Sequence, residues 1–143
     1  MMDIKDVISY LELIAPRSLQ ESYDNAGLII GDPSEKVSGV LITLDSTEEV
    51  IQEAIDKKCN LVVAHHPIIF KGLKKINGKN YVERTVLQAI RNNIAIYAIH
   101  TNLDNVLTRG VNERIAQRIG LVDLDILAPK KNLEKLVVYA PVH

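Results

Sequence analysis

The sequence predicts an α/β fold, with three-layer βαβ units built around a mostly parallel central sheet. Short β-rich runs alternate along the chain with segments whose apolar residues recur every three or four positions. The 143 residues fit one domain, and a hydrophobic content of 47% is enough to fill its core. We expect the α/β domain to span residues 1–132 and residues 133–143 to begin a further segment.

The first thirty residues are predicted to form helices followed by a strand. Apolar residues recur with helical spacing over residues 4–14, where Asp3 caps the first turn and Pro16 ends the helix. The capping-box spacing of residues 18–21 predicts a second, short helix. A short strand is expected at residues 28–30, between two turns.

From residue 37 onwards, the predicted strands and helices alternate regularly. β-rich runs predict strands at residues 37–44, 61–64, 94–99 and 135–139. Apolar stripes predict helices at residues 46–55, 82–90 and 111–119. Gly120 ends the last of these helices, and residues 71–80 are predicted to form a loop.

Charge and cysteine content exclude several classes of protein. The chain has 17 basic and 18 acidic residues, so we do not expect a surface that binds nucleic acid through its phosphates. Cys59 is the single cysteine, which excludes an internal disulfide framework and a thiolate zinc site. We see neither the apolar core of a signal peptide nor a run of about 20 apolar residues that could cross a membrane. The expected location is the cytoplasm.

Three of the four histidines follow predicted strands. His65 and His66 come directly after one strand, His100 comes after the next, and Asp104 follows four residues later. Ligands of open α/β sheets bind beyond the carboxyl ends of the strands, so these residues predict one site, for metal. His65 and His66 would point apart in a continuing strand, but Pro67 bends the chain so that both rings reach one cleft. Such a pair suits two metal ions about 3.5–4 Å apart.

Each of these residues also has a purely structural interpretation. A His-His pair before a proline, taken alone, is more often a hydrogen-bonded strand end than a pair of ligands. His100 and Asp104 would share one face of a helix. However, we predict a loop after the strand, in which Thr101, Asn102 and Asp104 cap and turn the chain. Two histidine-bearing strand ends beside an acid nevertheless favour the metal site.

Other polar residues have two interpretations each. Asp45 is either a partner or base at the site or, as we prefer, a turn residue, with Ser46 capping the next helix. Asp24 and Asn25 either reach a cleft or form a structural turn, and the turn is preferred. His143 is expected to be exposed. Four of the five tyrosines are expected to lie in the core or at its edge: Tyr23, Tyr81, Tyr97 and Tyr139.

Four short segments together carry a family signature. They are Glu-Ser-Tyr-Asp-Asn-Ala-Gly-Leu at residues 21–28, His-His-Pro-Ile-Ile-Phe at 65–70, His-Thr-Asn-Leu-Asp at 100–104, and Gly-Val-Asn at 110–112. In this order and spacing, the chain resembles the Ngg-interacting-factor-three-like proteins, which are often named GTP cyclohydrolase 1 type 2 homologues. The resemblance extends along nearly the whole chain.

The resemblance implies an α/β fold, a dinuclear metal centre and, in bacteria, a toroidal homohexamer whose metal sites face the inner cavity. By motif, His65 and His66 would be metal ligands and Asp104 a carboxylate ligand. His100 would lie beside the metals, as a weaker ligand or as a group that contacts one. Longer members complete the metal pair with a His and a Glu from their C-terminal part. We therefore expect this chain to be the N-terminal portion of a longer protein, with half of the ligand set.

Two functions are consistent with these residues. In the first, two divalent ions (Zn, Fe, Mn, Ni or Mg) held by His65, His66 and Asp104 activate water, while a nearby acid or His100 shuttles protons. The substrate of this hydrolase would be a nucleotide such as GTP, or a phosphoester, bound without a P-loop. In the second, the metals stabilise a ring that acts as a scaffold or regulator without catalysis. Convergent ligands at strand ends favour the hydrolase, although the sequence does not decide whether the protein is an enzyme.

Overall fold

The computed structural model describes residues 2–129 as a four-stranded sheet flanked by helices. Strands and helices alternate along the chain as the apolar patterns predict. The elements in chain order are α1 (Ile4–Ile14), a 3-10 turn (Arg17–Leu19), β1 (Gly27–Ile30), β2 (Val40–Thr43), α2 (Glu48–Asp56), β3 (Leu61–Ala64), α3 (Tyr81–Arg91), β4 (Ala95–Ala98), α4 (Thr101–Asp104) and α5 (Val111–Arg118).

The order of the strands brings three strand ends to one edge of the sheet. The order is β1-β4-β3-β2, with β2, β3 and β4 parallel to one another and β1 antiparallel to β4. Thr43, Ala64 and Ala98 lie side by side in the same register. The residues that follow these three therefore emerge next to one another. The predicted α/β fold with a mostly parallel sheet is confirmed.

Helices cover both faces of the sheet, and each face has its own apolar core. On one face, α1 and its C-cap pack against the sheet. The buried residues of this core are Ile4, Ala15, Leu61, Val63, Ala95, Tyr97 and Ile99. On the other face, α2 and α3 pack against the sheet through Ile51, Ala54, Val62, Val86, Ala89, Ile94 and Ile96, joined by Ile30 and Ile68. Strands β3 and β4 are buried along their whole length, as expected for parallel strands covered on two sides.

The first two helices differ in how well their starts were predicted. Asp3 is the N-cap of α1, as expected, and its backbone N–H donates to the Asp6 carboxylate over 2.8 Å. The prediction that Ser46 caps α2 is wrong. Thr47 is the N-cap, because its hydroxyl lies within reach of the Val50 N–H, at 3.3 Å, and accepts a hydrogen bond from it. Ser46 is instead buried.

Several other expectations have clear outcomes. The short helix predicted at residues 18–21 is a 3-10 turn that begins one residue earlier. Residues 71–80 contain no helix or strand, as predicted. Within residues 2–129, none of the helices combines the length and apolar character that crossing a bilayer requires. The strand predicted at residues 135–139, the segment 133–143, Tyr139 and His143 lie outside the described residues.

Candidate metal centre

Three histidines meet at the carboxyl ends of β3 and β4. His65 and His66 follow β3, and His100 follows β4. The ring centroids are 4.9 Å apart for His65 and His66, 5.2 Å for His65 and His100, and 5.5 Å for His66 and His100. One ring nitrogen from each histidine lies within 4.8 Å of the other two. The structure thus brings together the three histidines that the sequence placed at strand ends.

Each of the three rings is held through its Nδ1 atom by an oxygen. The distances are 2.9 Å from His65 Nδ1 to the Ile99 carbonyl, 2.7 Å from His66 Nδ1 to Asp45 Oδ1, and 2.8 Å from His100 Nδ1 to Asp24 Oδ1. A carbonyl oxygen and an ionised carboxylate can only accept, so Nδ1 carries the hydrogen in each ring. In the neutral ring Nε2 then keeps its lone pair, which lets this nitrogen act as a metal ligand.

Asp24 is the buried partner of His100. Its side chain is 0% exposed, and Oδ1 accepts from His100 and from the Asn25 backbone N–H at 2.7 Å. Oδ2 accepts from the Thr101 backbone N–H at 3.1 Å and from the Thr101 hydroxyl. Burial raises the pKa of Asp24, but the hydrogen bonds from Thr101, His100 and Asn25 outweigh burial and leave the pKa below its ordinary value.

The preferred interpretation of Asp24 as a turn residue accounts for only half of its role. Its backbone N–H does close a turn on the Glu21 carbonyl, at 3.0 Å. Its carboxylate, however, reaches His100, which lies 76 residues away in the chain. The preferred turn interpretation of Asp45 is incomplete for the same reason, because its carboxylate accepts from His66. For both aspartates, the contact corresponds to the less favoured of the two interpretations that the sequence allowed.

Asp104 lies at the edge of the cluster, on a helical turn. The prediction of a loop over these residues is wrong, because they form α4. Asn102 stabilises this turn: its side-chain oxygen accepts from the His100 N–H at 2.8 Å, and its amide donates to the Ala15 carbonyl at 2.8 Å. Asp104 Oδ1 lies 3.8 Å from His65 Nε2. The carboxylate therefore stands on the same side of the site as the ring nitrogen that keeps its lone pair.

The combined donor set suits a divalent metal ion. Three imidazole nitrogens and one carboxylate are ligands that Zn, Fe and Ni accept, and the carboxylate extends the range to Mn and Mg. Among the described residues, His65, His66 and His100 are grouped closely enough to hold an ion. The residues present therefore fit the predicted metals.

Two aromatic residues beside the histidines were not predicted as part of the site. The rings of Phe70 and His100 lie 6.3 Å apart and meet edge to face at 80°. The rings of Tyr23 and Phe70 are also 6.3 Å apart, tilted by 52°. Tyr23 is exposed rather than packed in the core. Tyr23 belongs to signature segment 21–28 and Phe70 to signature segment 65–70. Membership of these segments was the one sequence signal that could have identified them as part of the site.

Two cavities differ in their relation to this site. A cavity of about 310 Å³ adjoins Asp104, and its other walls are residues 105–107, Asn112 and residues 125–128. A cavity of about 680 Å³ lies between α2 and α3, where Arg84 and Arg91 contribute to the wall and none of the three histidines does. The three histidines do not line the smaller cavity either, so it adjoins the site through Asp104.

Comparison with known proteins agrees with this architecture. Residues 2–141 match the family model described as Duf34/NIF3 (NGG1p interacting factor 3). A protein of Clostridium acetobutylicum named GTP cyclohydrolase 1 type 2 homolog is 39% identical over 94% of this chain and 50% of its own length. The protein of the same name from Bacillus subtilis is 39% identical over 96% of this chain and 37% of its own length. The chain thus spans half or less of the length of these relatives.

Solved structures lead to the same conclusion. The Bacillus cereus protein related to NIF3 superposes with a TM-score of 0.83 at 42% identity, over 91% of this chain and 36% of that one. Reduced HcgD from Methanocaldococcus jannaschii superposes with a TM-score of 0.78 at 28% identity, over 85% of this chain and 48% of that one. With the family match over residues 2–141, the chain belongs to the Duf34/NIF3 (NGG1p interacting factor 3) family.

Proposed function

We propose that His65, His66 and Asp104 bind divalent metal ions, two in the complete site, and that the protein is a metal-dependent hydrolase. The observation that carries this proposal is the hydrogen bonding of the rings. All three Nδ1 atoms are bound to oxygens, which leaves each Nε2 available to a ligand, and one ring nitrogen from each histidine lies within 4.8 Å of the other two. Nothing in a purely structural strand end requires that arrangement, whereas a cation between the nitrogens makes it favourable.

The residues of the site have separate roles in this proposal. His65, His66 and Asp104 hold the ions, and His100 receives or donates a proton at Nε2 while Asp24 fixes its Nδ1–H. Bound divalent ions supply the Lewis acidity that brings the pKa of a water close to 7. The Ile99 carbonyl and Asp45 orient the other two rings, so that the ligand nitrogens are positioned before a metal arrives.

The substrate class in this proposal is a nucleotide such as GTP, or a phosphoester. Support comes from the name of the relatives, GTP cyclohydrolase 1 type 2 homolog, at about 40% identity. Because this chain covers half or less of those relatives, further ligands and a homohexameric assembly in the cytoplasm belong to the same proposal. Since the sequence shows no P-loop, the metal ions held by His65, His66 and Asp104 would bind the phosphate oxygens of such a nucleotide.

Metal analysis followed by a turnover assay tests the proposal. The chain and a His65→Ala/His66→Ala variant are incubated with Zn²⁺, Mn²⁺, Ni²⁺ and anaerobic Fe²⁺, desalted and measured by elemental analysis. We expect near-stoichiometric metal in the wild type and a loss of at least tenfold in the variant. A Lys74→Ala/Lys75→Ala variant, altered at two exposed loop residues, is the matched control and keeps its metal.

Two results would contradict different parts of the proposal. A folded wild-type chain that retains no metal would rule out the metal site as these residues form it. A metal-loaded chain that converts neither GTP nor a generic phosphoester, followed by chromatography and phosphate release, would contradict the hydrolase. That second result would favour the alternative, in which the metals stabilise a non-enzymatic ring scaffold or regulatory protein.

A further inference from the structure

Two aromatic side chains stand exposed beside the histidine cluster. Tyr23 is 65% exposed and Phe70 is 46% exposed, although aromatic rings contribute most to stability when they are buried. Phe70 is the single phenylalanine of the chain, and there is no tryptophan. Phe70 therefore lies outside both apolar cores and next to the candidate metal ligands, although the chain has few large aromatic residues.

The two rings form a continuous series with the histidines. Phe70 lies edge to face with His100, and Tyr23 lies against Phe70, both at centroid separations of 6.3 Å. His100 in turn contacts His65 and His66. These separations fall within the range of interacting aromatic pairs. A molecule that packs against the Tyr23 and Phe70 rings therefore lies next to His100, the histidine that Phe70 contacts.

The backbone on either side of the two rings is fixed. The Asn25 side-chain amide donates to the Ile69 carbonyl at 2.7 Å and so joins the segment of Tyr23 to the segment of Phe70. The neighbouring Asp24 is anchored to Thr101 and His100. The backbone that carries the two rings is therefore held by the same contacts that hold the site, so that ligand binding would cost little backbone conformational entropy.

We propose that Tyr23 and Phe70 form a stacking site for the flat heteroaromatic ring of a ligand whose polar end reaches the histidine cluster. The proposal rests on the proposed function in one respect, namely that this ring belongs to the substrate of the metal site. A heteroaromatic ring is favoured over an aliphatic group because exposed aromatic faces stack on nucleobase-like rings regardless of base identity. The planes of the two rings are tilted by 52°, so that a ligand ring can pack against the face of one ring and the edge of the other.

Binding of guanosine, measured by calorimetry or NMR titration in the presence of a chelator, tests the stacking site without any metal. We expect Phe70→Leu and Tyr23→Leu each to raise the Kd for guanosine about tenfold, because leucine keeps apolar volume and removes the ring. Phe70→Tyr and Tyr23→Phe, which keep a ring, restore binding to within about twofold. Tyr10→Leu is the matched control, since Tyr10 is 64% exposed on α1 and lies outside the ring series.

A second titration uses inorganic triphosphate, which has no ring, on the metal-loaded chain. Its Kd and the metal content stay unchanged in the two leucine variants if the rings act by stacking. Failure of guanosine to bind, or equal binding by wild type and leucine variants, overturns the stacking site whatever the metal content. Leucine variants that change the oligomeric state and not guanosine binding would reassign the rings to a contact between copies. Ring-dependent guanosine binding by a chain that retains no metal after incubation with the four metal ions and desalting would support the stacking site and contradict the proposed function.

Discussion

The site contains two histidine–aspartate pairs that are alike in geometry and different in surroundings. His100 Nδ1 lies 2.8 Å from Asp24, and His66 Nδ1 lies 2.7 Å from Asp45. In the first pair the side chains are 17% and 0% exposed, whereas in the second they are 46% and 59% exposed. Equal distances therefore do not mean equal contributions, because water screens the second pair and leaves the first almost unscreened.

The difference also separates the roles of the two pairs. Asp24 has four hydrogen bonds and cannot move without breaking contacts to Thr101 and Asn25 as well as to His100. The Asp45 carboxylate is exposed, so it holds the His66 ring less firmly than the buried Asp24 carboxylate holds His100. The buried pair is thus part of the structural framework, and the exposed pair is the adjustable side of the site.

The largest predicted effect comes from removing the charge of each aspartate in turn. We expect Asp24→Asn to lower the free energy of unfolding by about 2–4 kcal/mol, since it breaks a buried, charge-assisted network. Asp45→Asn, its matched partner, should change the same quantity by less than about 0.5 kcal/mol. Urea unfolding of the two variants and the wild type in one buffer measures both. Equal losses would show that burial does not distinguish the pairs.

A smaller effect is predicted at Thr101, which supports Asp24 from the other side. Its hydroxyl donates to Asp24 and accepts from the Glu21 N–H at 2.9 Å, so Thr101→Val loses both bonds while keeping the shape. We expect a loss of about 1–2 kcal/mol in the free energy of unfolding. Thr101→Ser, which keeps the hydroxyl, should recover most of that loss. A valine variant as stable as the wild type would indicate that the network does not depend on this hydroxyl.

The smallest effect is a change with pH. The pKa of Asp24 is lowered in the folded protein, so its contribution to stability is present above the ordinary pKa of an aspartate and is lost as pH falls through the folded value. The stability gap between wild type and Asp24→Asn should therefore narrow when urea unfolding at pH 7 is repeated between pH 4 and pH 3. A gap that stays constant or widens toward acid would contradict the charged state inferred for Asp24.

The elements that could be predicted from the sequence are those set by local patterns. Strand β3 has the predicted bounds, since four consecutive apolar residues in a buried parallel strand leave little ambiguity. Strand β2 is half as long as predicted. Its first residues instead bond to a neighbouring loop: the Ser38 N–H donates to the Asn60 side chain, and the Ser38 hydroxyl donates to the Lys58 carbonyl. The apolar pattern alone could not show that competition.

The site was predictable to the same extent. The histidines were identified because each follows a strand directly in the chain, and a parallel sheet aligns such ends. The site roles of Asp24 and Asp45 were the less favoured of two interpretations, because their partners lie 76 and 21 residues away. α4 was missed because local helix propensity does not explain it. It is stabilised by the buried Asn102, whose amide donates to the Ala15 carbonyl at the end of α1. The metal ligation of His65, His66 and Asp104 and the catalytic role of His100 stay predictions.

The bond from Asn102 to the Ala15 carbonyl has a consequence for the order of folding. It joins residues that are 87 positions apart, and the neighbouring bond between Asp24 and His100 spans 76 positions. Closing loops of this length costs entropy before any contact repays it, so such pairings form late and slowly. On a chain emerging from the ribosome, the residues of α1, β2, α2 and β3 are synthesised before His100 is available to join His65 and His66. The histidine cluster can assemble only after residue 102 has been synthesised and Asn102 can bond to the Ala15 carbonyl at the end of α1.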